Sequence, residues 1–134
     1  MKKTRLLNSD ISDVVARMGH TDMLCVADAG LPIPEDTQRI DLAVVRGIPT
    51  FKQVLEAVLS ELEIEEITIA EEMATENPEL FKYIEEKFSG LRINTVLHTQ
   101  LKLMESSCKA VIRTGECAPY ANIILHSNVA FEEK

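Results

Sequence analysis

The sequence contains no tryptophan, and aromatic residues make up only 4% of its 134 positions. A binding site built from it has few stacking platforms. That argues against single-stranded nucleic acid, which is held by aromatic stacking beside basic grooves. Basic residues are also in short supply. Fourteen Lys and Arg face 22 Asp and Glu, the net charge is −8, and no basic run exceeds Lys2-Lys3. Such a surface repels a polyphosphate backbone, so no nucleic-acid partner is expected. The three cysteines, Cys25, Cys108 and Cys117, form neither an even set nor a CxxC pair. They read as reduced, mostly buried thiols of a cytoplasmic protein. No apolar run approaches the ~18 residues of a membrane span. After Met1-Lys2-Lys3 the apolar stretch is only Leu6-Leu7 before Asn8-Ser9-Asp10, too short for a signal peptide. The expectation is therefore a cytoplasmic location with no membrane partner.

Several catalytic signatures are missing as well. Neither GxGxxG nor GxxxxGK[ST] occurs, so there is no glycine-rich phosphate cradle, and no GxSxG elbow presents a serine. The histidines at 20, 98 and 126 lack HxxxH or HxH spacing, which leaves a metal site without support.

What is present is a regular alternation. A chain this long buries roughly 68–70% of its unfolded surface, enough for one self-sufficient domain over 1–134. Ile11, Val14, Val15 and Met18 share one helical face between the capping residues Asn8 to Asp10 and the stop at Gly19. Met23 to Ala27 is a buried strand ending at Asp28, followed by a loop with Pro32 and Pro34. Ile40 to Val45 reads as a second strand. Thr50 and Gln53 form a capping box ahead of the stripe Phe51, Val54, Leu55, Val58, Leu59 and Leu62. Glu65 to Ala70 is a strand, Asn77-Pro78 opens a helix to Phe88, and Ile93 to Leu97 is a strand ending at His98. Thr99 caps a short helix through Met104. Lys109 to Arg113 and Asn122 to His126 close the chain as two strands with no helix between them. This order predicts an α/β fold: a three-layer α/β/α domain with a largely parallel sheet and a mixed edge.

Ligands of open α/β sheets bind outside the carboxyl ends of the strands. Asp28, Glu71-Glu72, His98 and His126 follow or end strands, whereas His20 precedes one. His20 reaches that edge only if its turn or a neighbouring subunit brings it there. Each also has a plain structural reading: a surface histidine, a turn-capping aspartate, a solvated acidic face. Taken together, His20, Asp28 and His98 suggest acid–base chemistry, since imidazole exchanges protons near neutral pH.

Longer segments carry more. Leu7-Asn8-Ser9-Asp10-Ile11-Ser12, Gly19-His20-Thr21-Asp22, Asp28-Ala29-Gly30-Leu31-Pro32-Ile33-Pro34 and the run from Arg113 to Leu125 resemble the superfamily of ribose pyranases and fucose mutarotases. The likeness extends from residue 1 to about 130. Ala29-Gly30-Leu31-Pro32 is the ribose-type form, where the fucose branch looks more like Ala-Asn-Phe-Pro. The resemblance implies an isomerase that interconverts pyranose and furanose forms of D-ribose without a cofactor. It further implies His20 as proton donor, with Asp28, His98 and Tyr120-Ala121-Asn122 as sugar contacts. Ring-shaped homo-oligomers, commonly decamers with the sugar between subunits, are implied too. The alternatives are a mutarotase for fucose or another aldose, a non-catalytic ribose-binding accessory protein, and, weakest, a nucleotide-binding α/β domain.

Overall fold

The computed structural model describes residues 1–131, so the last three positions of the expected domain lie outside the described residues. The Asn8 side chain accepts the Ile11 N–H and starts α1 (Ser9–Arg17). The chain then turns into β1 (Met23–Ala27), whose bounds match the apolar run, and β2 (Arg39–Asp41). This second strand stops short of the expected Val45. Val44 and Val45 are exposed, and Val45 makes only an isolated bridge to Ile48. The Thr50–Gln53 capping box forms as expected and opens α2 (Phe51–Leu59). There follow β3 (Ile64–Ala70), one short turn of helix α3 (Met73–Glu76), and α4 (Pro78–Lys87) with Asn77 as its cap. Next come β4 (Arg92–Val96), α5 (His98–Met104), a 3₁₀ turn over Glu105–Ser107, β5 (Ala110–Arg113) and β6 (Ile123–Ser127).

The six strands form one sheet in the order β2-β5-β1-β6-β3-β4. Alternate residues of each central strand feed two separate cores. Leu24, Val26, Ile112, Ile123, Leu125, Ile67 and Ile69 pack with α1, α2 and α4 on one face. Cys25, Ala27, Val111, Ile124 and Ala70 pack with Leu101 of α5 and Leu31 on the other. The expected three layers are therefore present, the second covered mainly by α5 and a loop.

The expected mixed edge is corrected. The antiparallel strand β6 lies inside the sheet, between β1 and β3, and opposes both. Ile123, Ile124 and Leu125 are buried on both faces, and a strand apolar on both faces belongs in the interior. The other pairings, β1–β5, β2–β5 and β3–β4, are parallel. Five strands thus end at one edge of the sheet, and β6 begins there.

Candidate active site

The reversed β6 decides which residues meet. Its first residues stand beside the end of β1, so the Asn122 side chain reaches Asp28 across 94 positions of sequence. The contact is reciprocal. Asp28 N–H donates to Asn122 Oδ1 at 2.9 Å, and Asn122 Nδ2 donates to Asp28 Oδ2 at 3.2 Å. Gly30 N–H donates to the other carboxylate oxygen at 2.9 Å. Burial raises the Asp28 carboxyl above its usual range, and the donors at Gly30, Asn122 and Leu31, with His98 nearby, pull it partly back.

The stretch from Arg113 to Glu116 braces this loop with its first two residues and the start of α2 with its last two. Arg113 Nε donates to the Ala29 carbonyl at 3.0 Å while its Nη1 meets Asp41. The Thr114 hydroxyl donates to the Ala27 carbonyl at 2.8 Å. Gly115 lies against residue 48 so closely that a Cβ there would sit 2.5 Å from the Ile48 carbonyl oxygen. Glu116 accepts the Phe51 N–H at the start of α2 and the Ala118 N–H within its own loop.

His98 arrives at the same edge from β4. It is the first residue of α5, and the expected Thr99 cap is absent. Glu72 does the capping, accepting the His98 N–H at 2.9 and 3.3 Å. The His98 ring meets Tyr120 edge-on, centroids 5.0 Å apart at 88°, and its Nδ1 is buried with no partner. Asp28, Gly30, Leu31, Pro32, His98, Pro119 and Tyr120 line an open cleft of about 380 Å³. Ala121 and Asn122 lie behind it, 0% and 1% exposed.

His20 is elsewhere. It sits before β1, at the opposite edge, in a cleft of about 400 Å³ lined also by Met18, Glu63, Asn128 and Phe131. The five residues of β1 alone separate it from Asp28 by about 16 Å, at ~3.3 Å each. Its Nε2 lies 2.9 Å from Glu65 Oε1. One chain therefore brings together five of the six expected site residues and leaves His20 apart. His126 lines neither cleft. Its Nε2 lies 2.8 Å from the Thr68 hydroxyl, and burial holds its ring below the usual histidine range.

Backbone strain marks both places. Only two non-glycine residues among those described have positive φ, Thr21 at 75° and Tyr120 at 55°. The first adjoins His20 and the second faces His98. Residues held in this region cost of order 1–3 kcal/mol and cluster at functional sites. Sequence reasoning missed Glu65 and the bracing role of Arg113, and named Glu72 only as part of an acidic strand end without its contact to His98, because each acts through a contact distant in sequence. Among the described residues, no three His, Cys, Asp or Glu side chains converge as metal ligands would, and no helix is long and apolar enough to cross a membrane.

Comparison with known proteins gives this geometry a context. Residues 1–130 match the model of the RbsD / FucU transport protein family. A D-ribose pyranase of Clostridium novyi is 56% identical over 131 residues, covering 98% of this chain and all of its own. The structure of Bacillus subtilis RbsD complexed with D-ribose superimposes with a TM-score of 0.94 at 41% identity, over 98% of this chain and 100% of that one. A fucose mutarotase of Streptococcus pneumoniae, with L-fucose, shares the fold at a TM-score of 0.78 but only 20% identity, over 92% and 94% of the two chains.

Proposed function

The chain belongs to the RbsD / FucU family, and we propose that it is an isomerase interconverting the pyranose and furanose forms of D-ribose. The observation that carries this reading is the match over nearly the whole chain, at a TM-score of 0.94, to a ribose-bound relative.

The chemistry requires little. A proton reaches the ring oxygen as its bond to the anomeric carbon breaks, and the anomeric hydroxyl gives up its own proton. The open aldehyde is then attacked by the 4-hydroxyl, closing a five-membered ring, or by the 5-hydroxyl, closing a six-membered one. Positioned acid–base groups contribute about 10²–10⁴-fold to such a step. His20 is the proton donor. Asp28 has lone pairs left over from its Gly30 and Asn122 contacts with which to accept sugar hydroxyls. His98 and Tyr120 form the facing wall, the tyrosine offering an apolar face with a polar tip. Ala121 and Asn122 act from behind that wall, Asn122 by fixing the Asp28 carboxylate.

The distance between His20 and the Asp28 cleft supports a site completed by two copies of the chain. One copy supplies the donor and its neighbour the sugar-binding cleft. A contact that joins opposite edges of identical chains is heterologous, and it closes into a ring when the rotation allows. A ring-shaped homo-oligomer, decameric as the resemblance implies, is the working unit proposed. One domain per chain and a cytoplasmic location complete the picture, the latter in keeping with three free cysteines.

Saturation-transfer NMR on ribose tests the reading. Wild type should exchange pyranose and furanose signals faster than buffer, and His20→Ala should not. Rapid exchange on fucose with none on ribose would overturn the ribose assignment. Ribose binding with no exchange above buffer would favour an accessory role.

A further inference from the structure

We propose that Glu65 is the positioning residue for His20, fixing the ring so that Nδ1 is the nitrogen turned to the sugar. The inference rests on His20 being the proton donor. Its geometric basis is separate from that role.

The contact itself is short: Glu65 Oε1 lies 2.9 Å from His20 Nε2, bridging 45 positions of sequence. The backbone on both sides is shaped to make it. On the strand side, Ile64 pairs with Ser127 and Glu66 with the next residue, His126, so Glu65 is the extra residue of a β-bulge. A bulge re-aims the side chain it carries, and bulges gather beside active sites. On the turn side, Thr21 N–H donates to the Ser127 carbonyl at 2.9 Å and Ser127 N–H returns a bond to the Asp22 carbonyl at 2.8 Å. The Asp22 carboxylate also accepts the Gly19 N–H at 2.8 Å, and Thr21 is held at φ 75°. Ser127 thus ties both partners to one point of β6. A chance surface pair has no such framework, and exposed pairs generally contribute little.

The chemical consequence follows from the two ring nitrogens being distinct. A hydrogen bond at one decides what the other can do. With Nε2–H donating to Glu65, the donor form carries its transferable proton on Nδ1. Ring opening moves that proton to the sugar ring oxygen as the bond to the anomeric carbon breaks, while the anomeric hydroxyl passes its own proton to solvent water and becomes the aldehyde oxygen. The imidazole is left neutral and still bound to Glu65 through Nε2–H. On reclosure, Nδ1 takes the proton of the attacking hydroxyl as the aldehyde oxygen takes one back from water, and the donor is restored.

The test compares exchange rates for wild type, His20→Ala, Glu65→Ala, Glu65→Gln and Glu65→Asp, with ¹⁵N NMR of the His20 ring. Removing an orienting partner of this kind typically lowers activity by roughly 10–100-fold. Glu65→Ala should lose kcat on that scale with KM nearly unchanged, and its His20 ring should show a mixture of neutral tautomers. Glu65→Gln, whose amide oxygen still accepts from Nε2–H, should recover most of the rate and the single tautomer. Glu65→Asp, with its oxygen withdrawn by one methylene, should fall between them. Wild-type kcat and an unchanged tautomer in Glu65→Ala, beside an inactive His20→Ala, would overturn the role of Glu65. If Glu65→Ala does not fold, wild-type kcat in Glu65→Asp would do the same. Full activity in His20→Ala would instead overturn the donor reading itself.

Discussion

Replacing Glu105 with glutamine should flatten much of this protein's pH-dependent loss of stability. Glu105 is 1% exposed at the end of α5, and its Oε1 has no hydrogen-bond partner. Burial pushes its carboxyl from 4.5 up to about 7, with Lys102 opposing the rise and Asp28 adding to it. Below pH 4.5 the folded and unfolded chains both carry the proton, and the neutral acid's contribution is fully present. As pH rises from 4.5 towards 7, the unfolded chain releases its proton while the folded chain retains it, so stability falls. Above 7 both states are ionised and the loss is complete. At about 1.36 kcal/mol per decade, the interval from 4.5 to 7 sets a ceiling near 3.4 kcal/mol. Screening by water admitted around the charged form, together with Lys102, lowers the expected effect to about 1–2 kcal/mol. His126 is lowered and bends both curves equally, so it cancels in the difference; Asp28 is raised and repels Glu105, so the difference also carries their mutual interaction. The assay is urea and thermal unfolding across about pH 5 to 8, at fixed protein concentration because assembly shifts apparent stability. Glu105→Gln should gain on wild type by that 1–2 kcal/mol over the range, or roughly 3–10 °C in Tm. Parallel curves for the two proteins would refute the reasoning.

Other expectations concern the site and its frame. If donor and cleft come from different copies, His20→Ala and Asp28→Asn should each be inactive alone, yet regain activity when unfolded together and refolded. Random mixing in a ring leaves about one interface in four with both wild-type residues. Recovery near a quarter of the wild-type exchange rate is expected, and none at all would point to a site within one chain. Gly115→Ala would press a methyl group against the Ile48 carbonyl, 2.5 Å away. It should destabilise the protein by about 2–4 kcal/mol in denaturant unfolding, and a change below 0.5 kcal/mol would mean that the loop yields freely.

The sequence was most legible where the signal is local. The Met23–Ala27 strand, the Thr50–Gln53 capping box and the Asn77 cap each need only a few adjacent residues, and all three formed as expected. The second strand was overestimated because Val44 and Val45 have strand propensity but no neighbour to pair with beyond an isolated bridge. Placing β6 inside the sheet required knowing where its loop leads, which periodicity does not encode. For the same reason Asp28, His98 and Tyr120 could be nominated separately, while their shared cleft depended on strand order. Glu65 looked like the first residue of an ordinary strand, and its bulge is visible only against β6. Glu105 carried no pattern at all. A charged residue after a short helix is normally solvated, and only its burial near Thr37 and Cys108 makes it otherwise.

Strand β6 has one further consequence. Asn122, just before its first residue, holds Asp28, and Ser127, its last, ties down the turn that carries His20. The same five-residue strand therefore touches both halves of the proposed site, one at each end. Pinned between β1 and β3, it cannot lengthen or shorten without breaking two ladders. It works as a gauge block. In a ring of identical chains, the step from one sugar to the next would be set by this strand, and every copy would present donor and cleft at the same spacing.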